Sequence, residues 1–407
     1  MTAAIDFRPD DPAFLADPFP FFQRMREEDP VHWSPRLKAW VLTRYDDVRA
    51  ICADPEASSD RLRPFFAALP GGETARIAEI IRYLTLWMVF RDPPEHTRIR
   101  RLASRVVNVQ SMHAMRPRIE ALVAWLLEGL GDREEIDLIA EFAGPLPALV
   151  IMAMLGVPRA ALARVKRLSD DLALFIGSSR MPAQKYERAE AATREMAALF
   201  RDLIAARRAA PDEDLLSRLV HLAHDGDRLS DDELVATSIL LLFAGHETTT
   251  NAIANGLLAL LRFPDAAQAL RDDPGLAAKA VEELLRYDGP GGALVRIVRS
   301  ERTLRGRRLE PGDRLFLMLN AANRDPDAYP DADRVILRRD GVPHLAFGYG
   351  PHLCLGFALA RLEAQIALPA ILGRWREISL ALPARELQWL NSMVFRGVKA
   401  LPLRVRR

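Results

Sequence analysis

Phe347-Gly348-Tyr349-Gly350-Pro351-His352-Leu353-Cys354-Leu355-Gly356 sets one cysteine in a loop with three glycines and a histidine. Glycine there permits φ > 0 and lets the backbone approach something flat or bulky. Apolar residues recur from Gly356 to about Leu372 and predict a final helix with Cys354 at its mouth. Free N–H groups and the dipole at a helix start lower a thiol's pKa and can donate hydrogen bonds to its sulfur. A thiolate held this way can bind a metal, and donors to the sulfur tune its electron density.

Three other readings of the loop are weaker. A dinucleotide fingerprint needs glycine where Leu353 stands, and a βαβ strand before it. Zinc wants more thiolates than one cysteine beside His344 and His352 provides. A merely structural buried cysteine leaves the glycine and histidine offsets unexplained. The segment resembles the haem-binding loop of the cytochrome P-450 family, F-G-x-G-x-H/R-x-C-x-G, with every fixed position present. That resemblance implies Cys354 on the iron of haem b, Phe347 beside the sulfur and His352 at a propionate. Gly348 and Gly356 would shape the loop around the cofactor.

A second segment carries matching chemistry. Ser230-Asp231-Asp232-Glu233 is a capping box, and no proline interrupts the following run until Pro264. Its centre, Ile239 to Gly245, is apolar all round and predicts a buried helix. Ala244-Gly245-His246-Glu247-Thr248-Thr249-Thr250 then interrupts it with small residues, an acid and hydroxyls. Burying such groups is costly unless they are paired or hydrated. A threonine bonding back to the preceding turn would loosen the helix and make room for a flat cofactor, oxygen and water. His246-Glu247 also begins a metalloprotease H-E-x-x-H, but Thr250 replaces the second ligand. The stretch is similar to the family's oxygen-binding helix, A-G-x-E/D-T-T. That similarity puts Ala244 and Gly245 over the haem face and Glu247 and Thr248 in proton delivery.

Haem carries two propionates, which need cationic partners. His96 and Arg100 lie four residues apart behind Asp92-Pro93-Pro94, so a helix sets both on one face. D-P-P-x-H-T-x-x-R resembles the family's propionate-binding helix, and Arg296 matches its propionate arginine on a strand. Glu283-Leu284-Leu285-Arg286 is E-x-x-R, a pair that in the family is buried and joined by a later arginine. Here that arginine is Arg339 by spacing, with Arg338 an alternative, because F-D-x-x-R has become Val335-Ile336-Leu337-Arg338-Arg339.

The rest of the chain sets bounds. Of 407 residues 49% are hydrophobic, enough for a large core, and no linker or composition shift divides them. Residues 1–407 are therefore expected to form one domain. Short apolar runs at Ala39–Arg44, Leu294–Val298 and Leu315–Leu319 read as strands among helices. The expected fold class is mainly α with a small β region, and by resemblance a cytochrome P-450 fold with a long central helix over the haem. A net charge of +1 argues against nucleic-acid or membrane-surface binding. The longest uncharged run, Phe142 to Pro158, reads as core rather than a membrane anchor. Two cysteines make no disulfide framework, which suits a reducing cytoplasm.

The resemblance implies a haem-thiolate monooxygenase that activates O2 and hydroxylates or epoxidises a mainly hydrophobic small molecule. No flavin or nicotinamide site is present in the sequence, so electrons must come from outside. A ferredoxin with an NAD(P)H-dependent reductase is the expected source, and a monomer the expected state. Arg98, Arg101, Arg105 and Arg361 are candidates to dock an acidic partner. Leu62, Phe65, Phe66, Trp87, Met88, Leu294, Val295, Val394 and Phe395 are pocket candidates, though core packing explains them nearly as well. Gly289, Gly291 and Gly292 would give the strand beside them mobility or space.

Overall fold

The computed structural model describes residues 5–177 and 184–407. The chain divides into two compact units, each assembled from separated segments. One holds residues 1–58, 123–144 and 248–407; the other holds residues 59–122 and 145–247.

The first unit contains every strand found among the described residues. These are β1 (Val31–Ser34), β2 (Ala39–Leu42), β3 (Ala57–Ser58), β4 (Glu135–Asp137), β5 (Ala293–Val298), β6 (Arg302–Leu304), β7 (Arg307–Leu309), β8 (Arg314–Met318), β9 (Glu377–Leu380) and β10 (Pro402–Arg406). The main sheet has the order β1-β2-β8-β5-β3, with β2 and β8 parallel and the other pairs antiparallel. Successive side chains in a strand face opposite sides, and both sides here are buried. Leu42, Leu315, Leu317 and Val298 join one core cluster, whereas Ala39, Val41, Phe316 and Met318 join another. Strand β5, the carrier of Arg296, is therefore fixed from both faces.

The second unit is helical. Its core includes the helix Pro145–Met154, whose prolines fall in the first turn, where no intrahelical donor is lost. The uncharged run read as core is buried here, and Leu146, Ala148 and Val150 are wholly so. No helix among the described residues is long and apolar enough to cross a membrane.

The long helix runs Asp231–Arg262, 32 residues or about 48 Å. Its start is the expected capping box: Ser230 N–H donates to Glu233 Oε2 at 2.9 Å and Glu233 N–H to Ser230 Oγ at 3.2 Å. The expected loosening around Thr248 is not found, and the helix is continuous through Ala244–Thr250. The final helix spans Phe357–Arg374, two residues beyond expectation, and continues through Pro369.

Candidate active site

In the first unit the cysteine loop is a set of tight backbone turns. Cys354 N–H donates to Phe347 O at 2.9 Å, and Gly348 N–H donates to Leu345 O at 2.8 Å. Gly348 and Gly350 both have φ +73°, a conformation closed to most side chains. A Cβ on Gly350 would lie 2.9 Å from Ala53 Cα, so the helix Tyr45–Ala53 presses on the loop there. Gly356 differs from expectation. Its φ is an ordinary −89°, and a Cβ there would meet nothing within 4 Å.

Cys354 is half-buried, two residues before the N-cap Gly356 of the final helix. Arg296 is buried on β5, and the neighbouring Leu294 faces Gly348, whose Cβ would lie 3.4 Å from Leu294 Cδ1. Burial pushes the Cys52 thiol up, and the Arg296 charge pulls it partly back, so this cation reaches the region behind the loop. His352 is half-buried in the turn Gly350–His352. A half-buried cysteine, open space at Gly356, the buried Arg296 guanidinium and the half-buried His352 ring suit a flat, anionic, iron-bearing group. Among the described residues no cluster of three metal-binding side chains assembles, so the zinc alternative has no ligand set.

Behind the loop stands the buried ion network. Arg286 meets Glu283 in a two-pronged bond, Nε–Oε2 2.7 Å and Nη2–Oε1 2.9 Å. Arg339 Nε adds bonds of 3.0 and 3.1 Å to the same carboxylate, and Ile336 N–H donates to it at 2.8 Å. Arg339 is thus the third member. Arg338 is largely exposed and comes no nearer an acid than 3.9 Å from Asp273.

The second unit holds His96, Arg100, Ala244, Gly245 and Glu247. His96 is buried and Arg100 half-buried on the helix Glu95–Val106, one turn apart as expected. Arg98 ties that helix to the long one, donating to Glu233 at 2.7 Å and to Asp227 at 3.1 Å. The Trp87 ring stacks on Phe90 at 5.9 Å and meets Phe243 at 5.6 Å. Along the long helix Ala244 is exposed and Leu241, Gly245 and Thr248 half-buried, although Ile239, Leu242, His246 and Thr249 are buried. The spacing of 241, 244, 245 and 248 makes that accessible stripe one helical face of mostly small residues.

Gly245 has a packing role that the sequence did not reveal. A Cβ there would sit 3.0 Å from Ile151, so glycine lets the long helix meet Pro145–Met154. His246 Nδ1 lies 3.0 Å from Leu242 O, the geometry of an N–H donor, and burial keeps the ring neutral. Its other nitrogen is 3.8 Å from Glu247 Oε2. Burial raises the Glu247 carboxyl, opposed by Lys166. Asp170 is raised as well, first by burial and then by the Glu247 charge. Sequence reading missed Asp170 and Lys166, which sit four apart on Leu162–Gly177 and carry no motif.

Other expectations shift. The glycines beside β5 provide contact, not room. A Cβ on Gly292 would collide with Met393 O, and one on Gly289 would lie 2.6 Å from Leu285 O. Among the pocket candidates, Leu62, Phe66, Trp87 and Met88 are buried, Phe65 is exposed, and Leu294, Val295, Val394 and Phe395 are half-buried. The docking candidates already have partners: Arg101 with Asp227 at 3.3 Å, Arg105 with His224 at 2.6 Å, Arg361 with Glu282 at 2.5 Å.

The chain is similar to known proteins over most of its length. The family model "Cytochrome P450" matches residues 71–274 and 275–380. The chain is similar to the cytochrome P450 monooxygenase PikC of Streptomyces venezuelae, 39% identical, covering 97% of this chain and 92% of that protein. It is 36% identical to 6-deoxyerythronolide B hydroxylase of Saccharopolyspora erythraea, with 100% of both covered. Among solved structures, P450BioI in complex with an acyl carrier protein ligated to hexadec-9Z-enoic acid matches with TM-score 0.89 and 32% identity, covering 97% of this chain and 99% of that one.

Proposed function

The chain belongs to the cytochrome P450 family, and on that premise we propose residue roles for its haem-thiolate monooxygenase activity. When bound, haem b supplies the binding and reduction of O2 and the transfer of one oxygen atom to substrate. Cys354 would hold the haem iron through its sulfur and would supply electron density to it, from a loop shaped by Phe347, Gly348 and Gly356. By the family resemblance, His96, Arg100, Arg296 and His352 would hold the propionates, and Ala244 and Gly245 would border the cofactor. The observation that carries these roles is the half-buried Cys354 at a helix mouth, with glycine turns around it and open space at Gly356.

Glu247 and Thr248 deliver protons. A carboxyl raised by burial holds its proton nearer neutral pH, and the neutral His246 adds no positive charge to strip it. Thr248 Oγ1 would hold or hand on a proton at the accessible stripe, and Asp170 with Lys166 acts on the acid electrostatically. Thr248→Ala is expected to raise NADH consumed per product by about tenfold, removing one positioned donor. Unchanged coupling in that variant refutes the relay.

The substrate is a mainly hydrophobic small molecule, and similarity to PikC and 6-deoxyerythronolide B hydroxylase favours a polyketide-type product. Loss of the iron's water ligand, followed optically across terpenoid, aromatic, fatty-acid and polyketide panels, identifies it. Electrons arrive from a ferredoxin-type partner served by an NAD(P)H-dependent reductase, and the working state is a monomer in the cytoplasm. Arg101→Glu is expected to slow reduction by an acidic ferredoxin by about tenfold at low salt, and less at high salt. Unchanged reduction rates remove Arg101 from the docking surface. Residues 1–407 form one domain, the chain passing between the units at Glu247–Thr248 inside the unbroken helix Asp231–Arg262.

A further inference from the structure

Arg361 was a docking candidate, yet its geometry serves the cysteine loop. Its guanidinium meets Glu282 in a two-pronged bond, Nε–Oε1 2.5 Å and Nη2–Oε2 2.7 Å. The same planar group lies 4.5 Å from the centre of the Phe347 ring and 5.2 Å from that of Phe357. Phe347 is the residue whose carbonyl accepts the Cys354 N–H at 2.9 Å. On the other side, the His344 ring lies 5.7 Å from Phe347. His344 Nδ1 accepts the Ala346 N–H at 3.2 Å, which leaves the ring proton on Nε2. That nitrogen faces Glu282 Oε2 at 3.2 Å, an electrostatic contact rather than a well-aligned hydrogen bond.

We infer that Glu282 and Arg361 are positioning residues: a bidentate clamp that pins Phe347 and so fixes the turn presenting the Cys354 sulfur. The inference rests on Cys354 as the iron ligand. Charge-assisted bidentate bonds are the strong ones, and a guanidinium stacks on an aromatic face as an ammonium does not. Burial alone would raise the Glu282 carboxyl, but His344 and Arg361 overcome it and hold it down to about 2, so the clamp keeps its charge throughout neutral and mildly acid conditions. Glu282 fills both prongs of the Arg361 fork, which commits this guanidinium within the chain.

The test uses the holoenzyme of Glu282→Gln, Arg361→Gln, Arg361→Lys and the swapped pair Glu282→Arg with Arg361→Glu. In the ferrous CO complex, the red-shifted Soret band should convert to the unshifted band at least about tenfold faster in the first two variants. The iron–sulfur stretch in resonance Raman should shift as well, and a merely structural loss would leave it in place. Arg361→Lys should behave like Arg361→Gln, and the swapped pair should recover part of the wild-type lifetime. Wild-type conversion and stretch in Glu282→Gln and Arg361→Gln would overturn the clamp, and slower partner reduction with those spectra unchanged would make Arg361 a docking cation instead. A wild-type protein with no red-shifted band would overturn the ligation reading rather than the clamp.

Discussion

Glu283→Gln is expected to destabilise the first unit by about 3–5 kcal/mol, the usual cost of breaking a buried ion pair from one side. The substitution keeps the shape of the side chain and removes its charge. Arg286, only 2% exposed, would keep bonds to the carbonyls of Asn323 and Ala332 but lose its carboxylate. Arg339, its side chain 10% exposed, would lose the same partner, leaving one buried and one half-buried cation without this anion. Ile336 N–H could still find the amide oxygen, so the loss is mainly of charge. Since domains are commonly stable by about 5–15 kcal/mol, much of the stability margin disappears. Haem retention during denaturant unfolding checks this. Arg338→Gln is the control, expected to change stability by less than about 0.5 kcal/mol because its side chain is largely exposed. Equal midpoints for Glu283→Gln and wild type would show that the network contributes little.

Local chemistry made part of this molecule legible from sequence. Ser230 and Glu233 lie three apart and satisfy each other's backbone N–H, so the start of the long helix could be read directly. Gly348 and Gly350 adopt the positive φ that their loop required. His96 and Arg100 share a helix because Asp92-Pro93-Pro94 starts one, and strand ends were off by one or two residues where hydrogen bonding, not apolarity, sets the boundary.

Partners distant in sequence stayed hidden. Arg361 and Glu282 are 79 residues apart, and nothing in either segment announces the other. Arg338 and Arg339 are neighbours whose roles depend on the local turn, and only the fold aims one at Glu283. Gly245 was read for its cofactor side alone, and its packing against Ile151, 3.0 Å from where a Cβ would sit, was hidden. Gly292 looked mobile, but Met393 lies against it. In both cases glycine's small size signalled close packing, and a sequence cannot say against what. Asp170 joins Glu247 from another helix, so an acid pair was invisible until the helices packed.

Cys354 is the residue proposed to hold the haem iron, through its sulfur. Replacing it with serine keeps the turn and the N–H bond to Phe347 O but substitutes an alcohol for the thiolate. An alcohol is a far weaker electron donor to iron, so the change removes the electron push that separates this chemistry from simple haem binding. Cys52→Ser is the matched control, since that buried thiol is pushed up by burial and has no accessible face. The decisive measurement is the absorption spectrum of the ferrous CO complex for the wild type and both variants, with haem content determined in parallel. A red-shifted Soret band is predicted in the wild type and in Cys52→Ser, and its complete loss in Cys354→Ser; survival of that band in Cys354→Ser would contradict the assignment.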